Sequence, residues 1–157
     1  MKRALSLFLV IAFLFVGCGR QTQQITVGDF SKEATVKWNE FSYNCRIDYK
    51  ENCVSVEVLS TAASGTVISY DGKNLSIKYG DIEINSQNKK LNFTNPAIAV
   101  YEALSYLNSV SLETDTLKNG TSVQGECDAG VFTAIFDKNN NLAVLEFQNE
   151  NLYIEFK

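Results

Sequence analysis

From Trp38 onward the chain is dominated by short runs in which apolar and polar residues alternate, separated by tight-turn sequences. An alternation with a period of two is typical of a β-strand with one buried face. Asp-Gly or Asn-Gly between two such runs is a strong hairpin signal, and it occurs at Asp71-Gly72 and at Asn119-Gly120. Successive antiparallel strands of this kind predict a meander that curls into an open or partly closed barrel.

The first hairpin is predicted in detail by side-chain parity. A turn centred on Glu51-Asn52 joins the runs FSYNCRIDY and CVSVEV, and it places Cys45 opposite Val58 rather than opposite Cys53. Three states of the thiols stay open: a Cys45–Cys53 disulfide, which parity disfavours, a Cys45–Cys127 disulfide, and no bridge.

The single proline of the chain marks the one predicted helix. In TNPAIAVYEALSYLNS, Asn95 is suited to cap a helix and Pro96 to occupy its first position. We expect a helix over about residues 96–108. Its apolar stripe, which is consistent either with ordinary core packing or with the lining of a ligand cavity, consists of Ala97, Ile98, Val100, Tyr101, Leu104 and Leu107.

Composition argues against several functions. The chain has no histidine, which removes the usual general base near neutral pH and the commonest metal ligand, so we expect no enzyme. Three unclustered thiols do not predict a zinc site, and Asp137–Asn141 lacks the glycine and glutamate of a calcium loop and predicts a hairpin turn. We therefore expect neither metal nor cofactor.

The first 17 residues have the form of a secretory signal peptide. A basic Met1-Lys2-Arg3 precedes thirteen almost uninterrupted apolar residues, Ala4 to Val16, in which only Ser6 is polar. In a helix these residues span roughly 20 Å, less than the ~30 Å of a bilayer's hydrocarbon core. The alternative is a short N-terminal anchor helix. Removal of residues 1–17 leaves 12 basic residues against 18 acidic ones, and this acidic balance argues against nucleic-acid binding.

The end of that segment, Phe15-Val16-Gly17-Cys18, resembles a bacterial lipobox. The resemblance implies cleavage before Cys18 and attachment of diacylglycerol, with acyl chains such as palmitate, to the Cys18 thiol. Two chains suffice for stable anchoring. We therefore predict a lipidated N-terminus and tether over residues 18–30, with the polar Gly19–Gln24 flexible, and a single β-rich domain over residues 31–157. The protein would lie on the outer face of the cytoplasmic membrane.

The order of elements over about residues 38–157 is similar to the LolA-like lipoprotein-carrier superfamily, in particular to the small lipoproteins of that shape in Gram-positive bacteria. The resemblance rests on the strand-DGK-strand hairpin GTVISYDGKNLSIKY, the mid-chain helix that opens with Asn-Pro, and the closing strands of FTAIFDKNNNLAVLEFQNENLYIEF. It implies a curved, unclosed antiparallel sheet with the helix packed on its concave face and an apolar cavity between them.

The resemblance implies that the anchored domain binds a hydrophobic ligand or a lipidated partner. Placed on this sequence, the cavity is expected to be lined by Val56, Val58, Ile68, Tyr70, Tyr101 and Leu104. The alternative is a non-enzymatic interaction module with a filled core that acts on another envelope protein, for example in envelope maintenance or spore development.

Overall fold

The computed structural model describes residues 21–87 and 95–157. Within them the chain forms twelve strands and one α-helix, α1, as well as a short 3-10 turn at Gln148–Glu150. The elements are β1 Gln21–Gln24, β2 Phe30–Trp38, β3 Phe41–Lys50, β4 Cys53–Val58, β5 Val67–Tyr70, β6 Leu75–Tyr79, β7 Ile82–Ser86, α1 Pro96–Ser109, β8 Ser111–Leu117, β9 Gly120–Cys127, β10 Gly130–Asp137, β11 Leu142–Phe147 and β12 Leu152–Phe156.

All the strands belong to one antiparallel sheet, in the order β1-β8-β9-β10-β11-β12-β2-β3-β4-β5-β6-β7. The edge strands β1 and β7 do not pair with each other in the described residues, so the sheet is open. Helix α1 contacts both β9 and β4. In a flat sheet these strands would lie about 29 Å apart, more than the ~21 Å length of the helix, so the sheet must curl around it. The predicted fold class is confirmed: mainly β, with a curved, open sheet and one described helix on its concave face.

The first long hairpin has the predicted register. Cys45 pairs with Val58, and Lys50 pairs with Cys53. The two turn residues, Glu51 and Asn52, have φ values of 53° and 57°. Positive φ at both positions is the geometry whose twist matches a two-residue hairpin, and asparagine tolerates it better than most residues.

The other predicted turns also form. Asp71 accepts hydrogen bonds at Oδ1 from the backbone N–H groups of Lys73 and Asn74, at 2.8 and 2.7 Å. Asp137 does the same for Asn139 and Asn141, both at 2.8 Å. Each carboxylate therefore accepts hydrogen bonds from backbone N–H groups of the turn that have no partner on a neighbouring strand. Gly80, with φ of 58°, begins the tight turn between β6 and β7.

Helix α1 begins as the sequence predicts and ends one residue later, at Ser109. The Oδ1 atom of Asn95 accepts the backbone N–H of Ala97 at 2.9 Å. Pro96 occupies the first helical turn, where its missing N–H costs nothing. Five of the six residues of the predicted stripe are buried and Tyr101 is half-buried. The buried side of α1 is wider than predicted, since it also includes Pro96, Ala99 and Ala103.

The core lies between α1 and the concave face of the sheet. Its largest fully buried side chains come from the helix and from the six consecutive strands in the middle of the strand order, β10 to β4, and they belong to one continuous core. They are Val36, Ile47, Val54, Val56, Leu104, Leu107, Phe132, Phe136, Leu145, Phe147, Leu152 and Ile154.

The segment predicted as a flexible tether is instead ordered from Gln21 onward. Gln21–Gln24 pairs with β8, and Ile25 is buried in the core. The segment needs no apolar pattern to pair, because an edge strand is held by backbone hydrogen bonds. Beyond it, Asn108 accepts the Val27 N–H at 2.7 Å and donates to the Val27 carbonyl at 3.2 Å, which fixes the segment to the end of α1.

Candidate ligand cavity

A cavity of about 490 Å³ lies on the concave side of the sheet at the N-terminal end of α1. Its described lining contains no side chain that is charged at neutral pH, and most of it is aliphatic or aromatic. The lining residues are Trp38, Tyr43, Val58, Thr61, Ala63, Thr66, Ile68, Leu75, Ile77, Asn95 and Pro96.

The hairpin between β2 and β3 supplies two aromatic rings to the cavity. Trp38 and Tyr43 are on the same side of the sheet because Tyr43 pairs with Val36, two residues before Trp38. Burial raises the pKa of the Tyr43 phenol well above its ordinary value of 10.0, so this side chain of the lining is uncharged at neutral pH. The indole Nε1 of Trp38 is buried and has no hydrogen-bond partner among the described residues.

The loop between β4 and β5 forms one wall of the cavity through Thr61, Ala63 and Thr66. Two backbone hydrogen bonds hold its base. Val58 donates to the Thr66 carbonyl, and Gly65 donates to the Val58 carbonyl, both at 2.8 Å. These bonds keep the loop beside the sheet, where its side chains extend the apolar surface of β4.

Another part of the lining is an aliphatic row across neighbouring strands. Val56 pairs with Ile68, Ile68 with Ile77, and Ile77 with Ile84. Cross-strand partners share a face, so the row continues from the buried core, through the cavity wall, to the exposed Ile84 on the edge strand.

The structure brings only part of the predicted lining to this cavity. Val58 and Ile68 line it. Val56 and Leu104 are fully buried in the core, Tyr70 is 8% exposed, and Tyr101 packs edge to face on Tyr70. These four are absent from the described lining, because side chains fill the space beneath the middle of α1. A ligand-contact role for the six residues stays a prediction.

Sequence reasoning missed most of the aromatic and loop lining. The parity of β3 placed Tyr43 on the core face, which was a usable signal. Trp38 precedes a hairpin turn, and Thr61–Thr66 has no periodic pattern, so neither could be assigned to a face from the sequence. The cavity also depends on where the helix begins relative to β6, which only the three-dimensional packing determines.

The cysteines are separate from the cavity chemistry. Cys45, Cys53 and Cys127 are all free thiols, so neither of the two candidate disulfides is present. Burial raises the pKa of Cys45 to about 12 and also raises the pKa of Cys53 and of Cys127. A thiol held in its protonated form is a poor nucleophile and a poor metal ligand. Within residues 21–87 and 95–157, no group of three or more acidic or cysteine side chains is arranged to hold a metal ion.

No helix in the described part of the chain has both the length and the apolar character needed to cross a bilayer.

Comparison with solved structures finds a distant likeness in fold. The solved structure of a LolA superfamily protein from Nitrosomonas europaea overlaps 85% of this chain and 87% of its own, with a TM-score of 0.41 and 10% sequence identity. No protein-family model matches the chain, and no curated protein does. The fold class therefore rests on the strand order and the helix placement of this chain itself.

Proposed function

We propose that this protein is a lipid-anchored, extracytoplasmic binding protein that holds a hydrophobic ligand in the cavity at the N-terminal end of α1. The ligand is an acyl chain, either of a membrane lipid or of a lipidated partner. The observation that carries the proposal is the cavity of about 490 Å³ with an uncharged, largely apolar lining. Its volume lies within the range of roughly 300–1,000 Å³ that is usual for small-molecule sites.

The lining suits an acyl chain for a simple energetic reason. Each methylene group removed from water contributes roughly 0.8 kcal/mol, and the described lining contains no charge that a chain would have to desolvate. Ile68 and Ile77 supply flat aliphatic surface on one side, and Trp38 supplies a large ring on the other. The loop between β4 and β5 contributes the hydroxyl groups of Thr61 and Thr66 to the lining. These hydroxyl groups would hydrogen-bond to an ester or amide group of the ligand.

The proposed anchor is a diacylglyceryl group on Cys18, added when residues 1–17 are removed. β1 begins at Gln21, so at most about 11 Å of chain separates the modified cysteine from the edge of the sheet. This short connection would keep the domain close to the outer face of the cytoplasmic membrane. The ligand would then come from the same membrane or from a neighbouring envelope protein, and nucleic acid is not a proposed partner.

Catalysis is not part of the proposal. The described thiols and the Tyr43 phenol all have raised pKa values, which keeps them protonated near neutral pH. Shape and apolar surface are what this site offers.

The ligand proposal is tested through the only tryptophan of the chain, Trp38, which lines the cavity. The full-length protein is placed in vesicles of phosphatidylcholine whose acyl chains carry bromine, which quenches indole fluorescence on contact. We expect strong quenching in the wild type and much weaker quenching in Ile68→Glu, which puts a charge into the cavity. Ala63→Phe, which fills the cavity from the exposed loop, should have the same effect.

Ile135→Glu is the matched control, because Ile135 is also a half-buried strand isoleucine but lies on the outer face of the sheet. It should be quenched as strongly as the wild type. Equal quenching in Ile68→Glu, Ala63→Phe and the wild type would contradict the proposed site, provided that circular dichroism shows each variant folded.

A second candidate function is a protein-interaction module of the cell envelope. The packing beneath the middle of α1 favours this function, since Ala103, Leu104 and Leu107 are fully buried there and fill this part of the core. In that case the variants Ile68→Glu and Ala63→Phe would leave lipid contact unchanged, and a partner would bind the exposed surface instead.

The anchor is tested separately by metabolic labelling with palmitate. Label should enter the wild type and Cys53→Ala, and should be lost from Cys18→Ala. Label retained in Cys18→Ala, or absent from the wild type, would contradict lipidation at Cys18 and would leave the cavity proposal standing.

A further inference from the structure

The edge strand β7 presents backbone groups that no described strand pairs with. A two-residue turn, Gly80-Asp81, joins β6 to β7, and Tyr79 pairs with Ile82. A hairpin of this kind closes on a hydrogen-bonded pair, so the N–H and C=O groups of Ile82 and Ile84 point towards β6. Those of Glu83 and Asn85 therefore point outward, away from the sheet.

The same strand exposes large apolar side chains on one face. Ile82 is 65% exposed, Ile84 is 60% exposed, and the neighbouring Tyr79 is 53% exposed. An edge strand with open backbone groups and exposed isoleucines is a template for pairing with another strand. Natural edges of this type are normally covered or interrupted.

We propose that β7 pairs antiparallel with β7 of a second copy of this chain, with Ile84 opposite Ile84 of the second copy. The outward groups of Glu83 would then bond to Asn85 of the second copy, and those of Asn85 to its Glu83. The two isoleucines form the central non-hydrogen-bonded pair, in which side chains approach most closely. The interface is isologous, as in most homodimers.

Charge and apolar pairing together select this register. A shift of two residues in one direction would put Glu83 opposite Glu83 of the second copy, and like charges directly opposite each other are destabilising. A shift of two residues in the other direction would put Ile84 opposite Ser86 of the second copy and separate the two isoleucines. In the proposed register each carboxylate faces an amide. The Nδ2 group of Asn85 already donates to Oε1 of Glu83 at 3.1 Å within one copy, so the two groups have compatible chemistry.

The pairing has a consequence for the cavity. Ile84 is the cross-strand partner of Ile77, which lines the cavity. In the dimer an unbroken row of four isoleucines, Ile77 and Ile84 from each copy, would connect the two cavities. The dimer rests on the open edge and on the proposed membrane anchor, and it holds whether or not the cavity binds lipid.

Two five-residue strands bury less surface than a stable dimer in solution usually needs. Two copies held in one membrane, however, meet at a much higher effective concentration. The test therefore uses the full-length protein in membranes rather than a diluted fragment.

The experiment is disulfide cross-linking with a mild oxidant. In Ile84→Cys, the two new thiols lie on Cα atoms about 4.5 Å apart across the interface, which a disulfide can bridge. We expect several-fold more covalent dimer than in the wild type, whose own cysteines give the background. Ile82→Cys is the matched control. It lies on the same strand and face, but each Ile82 is opposite Ser86 of the second copy, so it should remain at background. Ile82→Cys mixed with Ser86→Cys should recover the cross-link.

Charge variants test the register independently. Asn85→Glu places two like-charge pairs in the interface and should weaken the dimer by about 2- to 30-fold, measured from the concentration dependence of cross-linking in the Ile84→Cys background. Gln124→Glu, which makes the same change at an exposed site on β9, should have no effect.

The proposal is overturned if Ile84→Cys gives no more dimer than the wild type. Equal cross-linking of Ile82→Cys and Ile84→Cys would also overturn it, because that result indicates random collision. A cross-link from Ile84→Cys to a different protein would show that β7 serves another partner.

Discussion

The ring of Tyr101 on α1 meets the ring of Tyr70 on β5 edge to face, with centroids 5.1 Å apart and an interplanar angle of 86°. The Tyr101 hydroxyl extends beyond this contact to the turn between β5 and β6, where a Cβ atom on Gly72 would overlap it. Helix and hairpin are thus joined by an aromatic pair and a close approach. This contact holds β5 and β6, two strands of the cavity wall, against the helix.

The close approach predicts unequal effects of two glycine substitutions. Gly72 and Gly65 have nearly the same φ, +89° and +86°, but a Cβ atom on Gly65 would meet nothing within 4 Å. Gly65→Ala should cost about 1–2 kcal/mol for the left-handed backbone alone. Gly72→Ala should cost more, because it also displaces Tyr101. Urea unfolding measures both, and the difference should shrink in a Tyr101→Ala background. An equal decrease in the free energy of unfolding for both variants in the wild-type background would show that the contact between Gly72 and Tyr101 does not contribute to stability.

A second close approach lies at the other side of the helix. A Cβ atom on Gly125 would come within 2.6 Å of Cζ of Phe132 and 2.8 Å of Cε1 of Tyr106. Both rings are packed, since Tyr106 and Phe132 form an edge contact at 5.8 Å. Gly125→Ala should therefore destabilise the protein by about 1–3 kcal/mol through overpacking. The adjacent exposed Gln124→Ala should change the free energy of unfolding little, and a similar loss in both variants would contradict the packing described.

The clamp between Asn108 and Val27 predicts a local effect at the N-terminal edge. The amide of Asn108 accepts from and donates to the Val27 backbone, and it also lies 3.4 Å from the Tyr49 hydroxyl. Asn108→Ala leaves these partly buried groups without partners and should cost about 1–3 kcal/mol. Proteolysis should then cut within residues 21–29 faster than in the wild type. Ser109→Ala, at an exposed neighbour, is the control, and unchanged cleavage in Asn108→Ala would contradict the clamp.

Alkaline pH should weaken the fold through Cys45. Burial raises the pKa of this thiol from 9.0 to about 12, an effect that nearby Lys157 partly offsets. Above pH 9.0 the thiol ionises in the unfolded chain but stays protonated in the folded one, so the unfolded state binds fewer protons and stability falls as pH rises. Ionisation of Cys45 therefore leaves the free energy of unfolding unchanged below pH 9.0 and lowers it progressively between pH 9.0 and pH 12.

The measurement compares the free energy of unfolding below and above pH 9.0 for the wild type and for Cys45→Ala. The variant loses some packing at every pH, but its decline above pH 9.0 should be shallower. Part of the decline above pH 10.0 should persist in it, because burial also raises the pKa of Tyr43. Identical slopes would contradict the assignment to Cys45.

Local features of the fold could be predicted because they depend on neighbours in sequence. The period-two pattern and the turn at Glu51-Asn52 determine the pairing of Cys45 with Val58, and Asn95 with Pro96 determines where α1 begins. The pairing of β1 with β8 could not be predicted, since Gln21–Gln24 carries no apolar pattern and is held through its backbone.

The candidate site was less predictable, because it forms where distant segments meet. Of the lining residues that the resemblance implies, Val58 and Ile68 lie at the cavity, whereas Tyr101 and Leu104 in the middle of α1 are packed against the sheet. The cavity lies instead at the N-terminal end of the helix, beside Asn95 and Pro96. Its position depends on how far α1 extends over the sheet, which is a property of the packed structure rather than of any one segment.

The central claim, that the cavity holds a hydrophobic ligand, is tested most directly by mass spectrometry of lipid that remains bound after gentle purification of the full-length protein. The proposal predicts about one lipid or acyl chain per protein beyond the anchor in the wild type and in Ile135→Glu, and loss of that lipid in Ile68→Glu. Absence of bound lipid from the wild type in repeated preparations, or its retention in folded Ile68→Glu, would contradict the proposal.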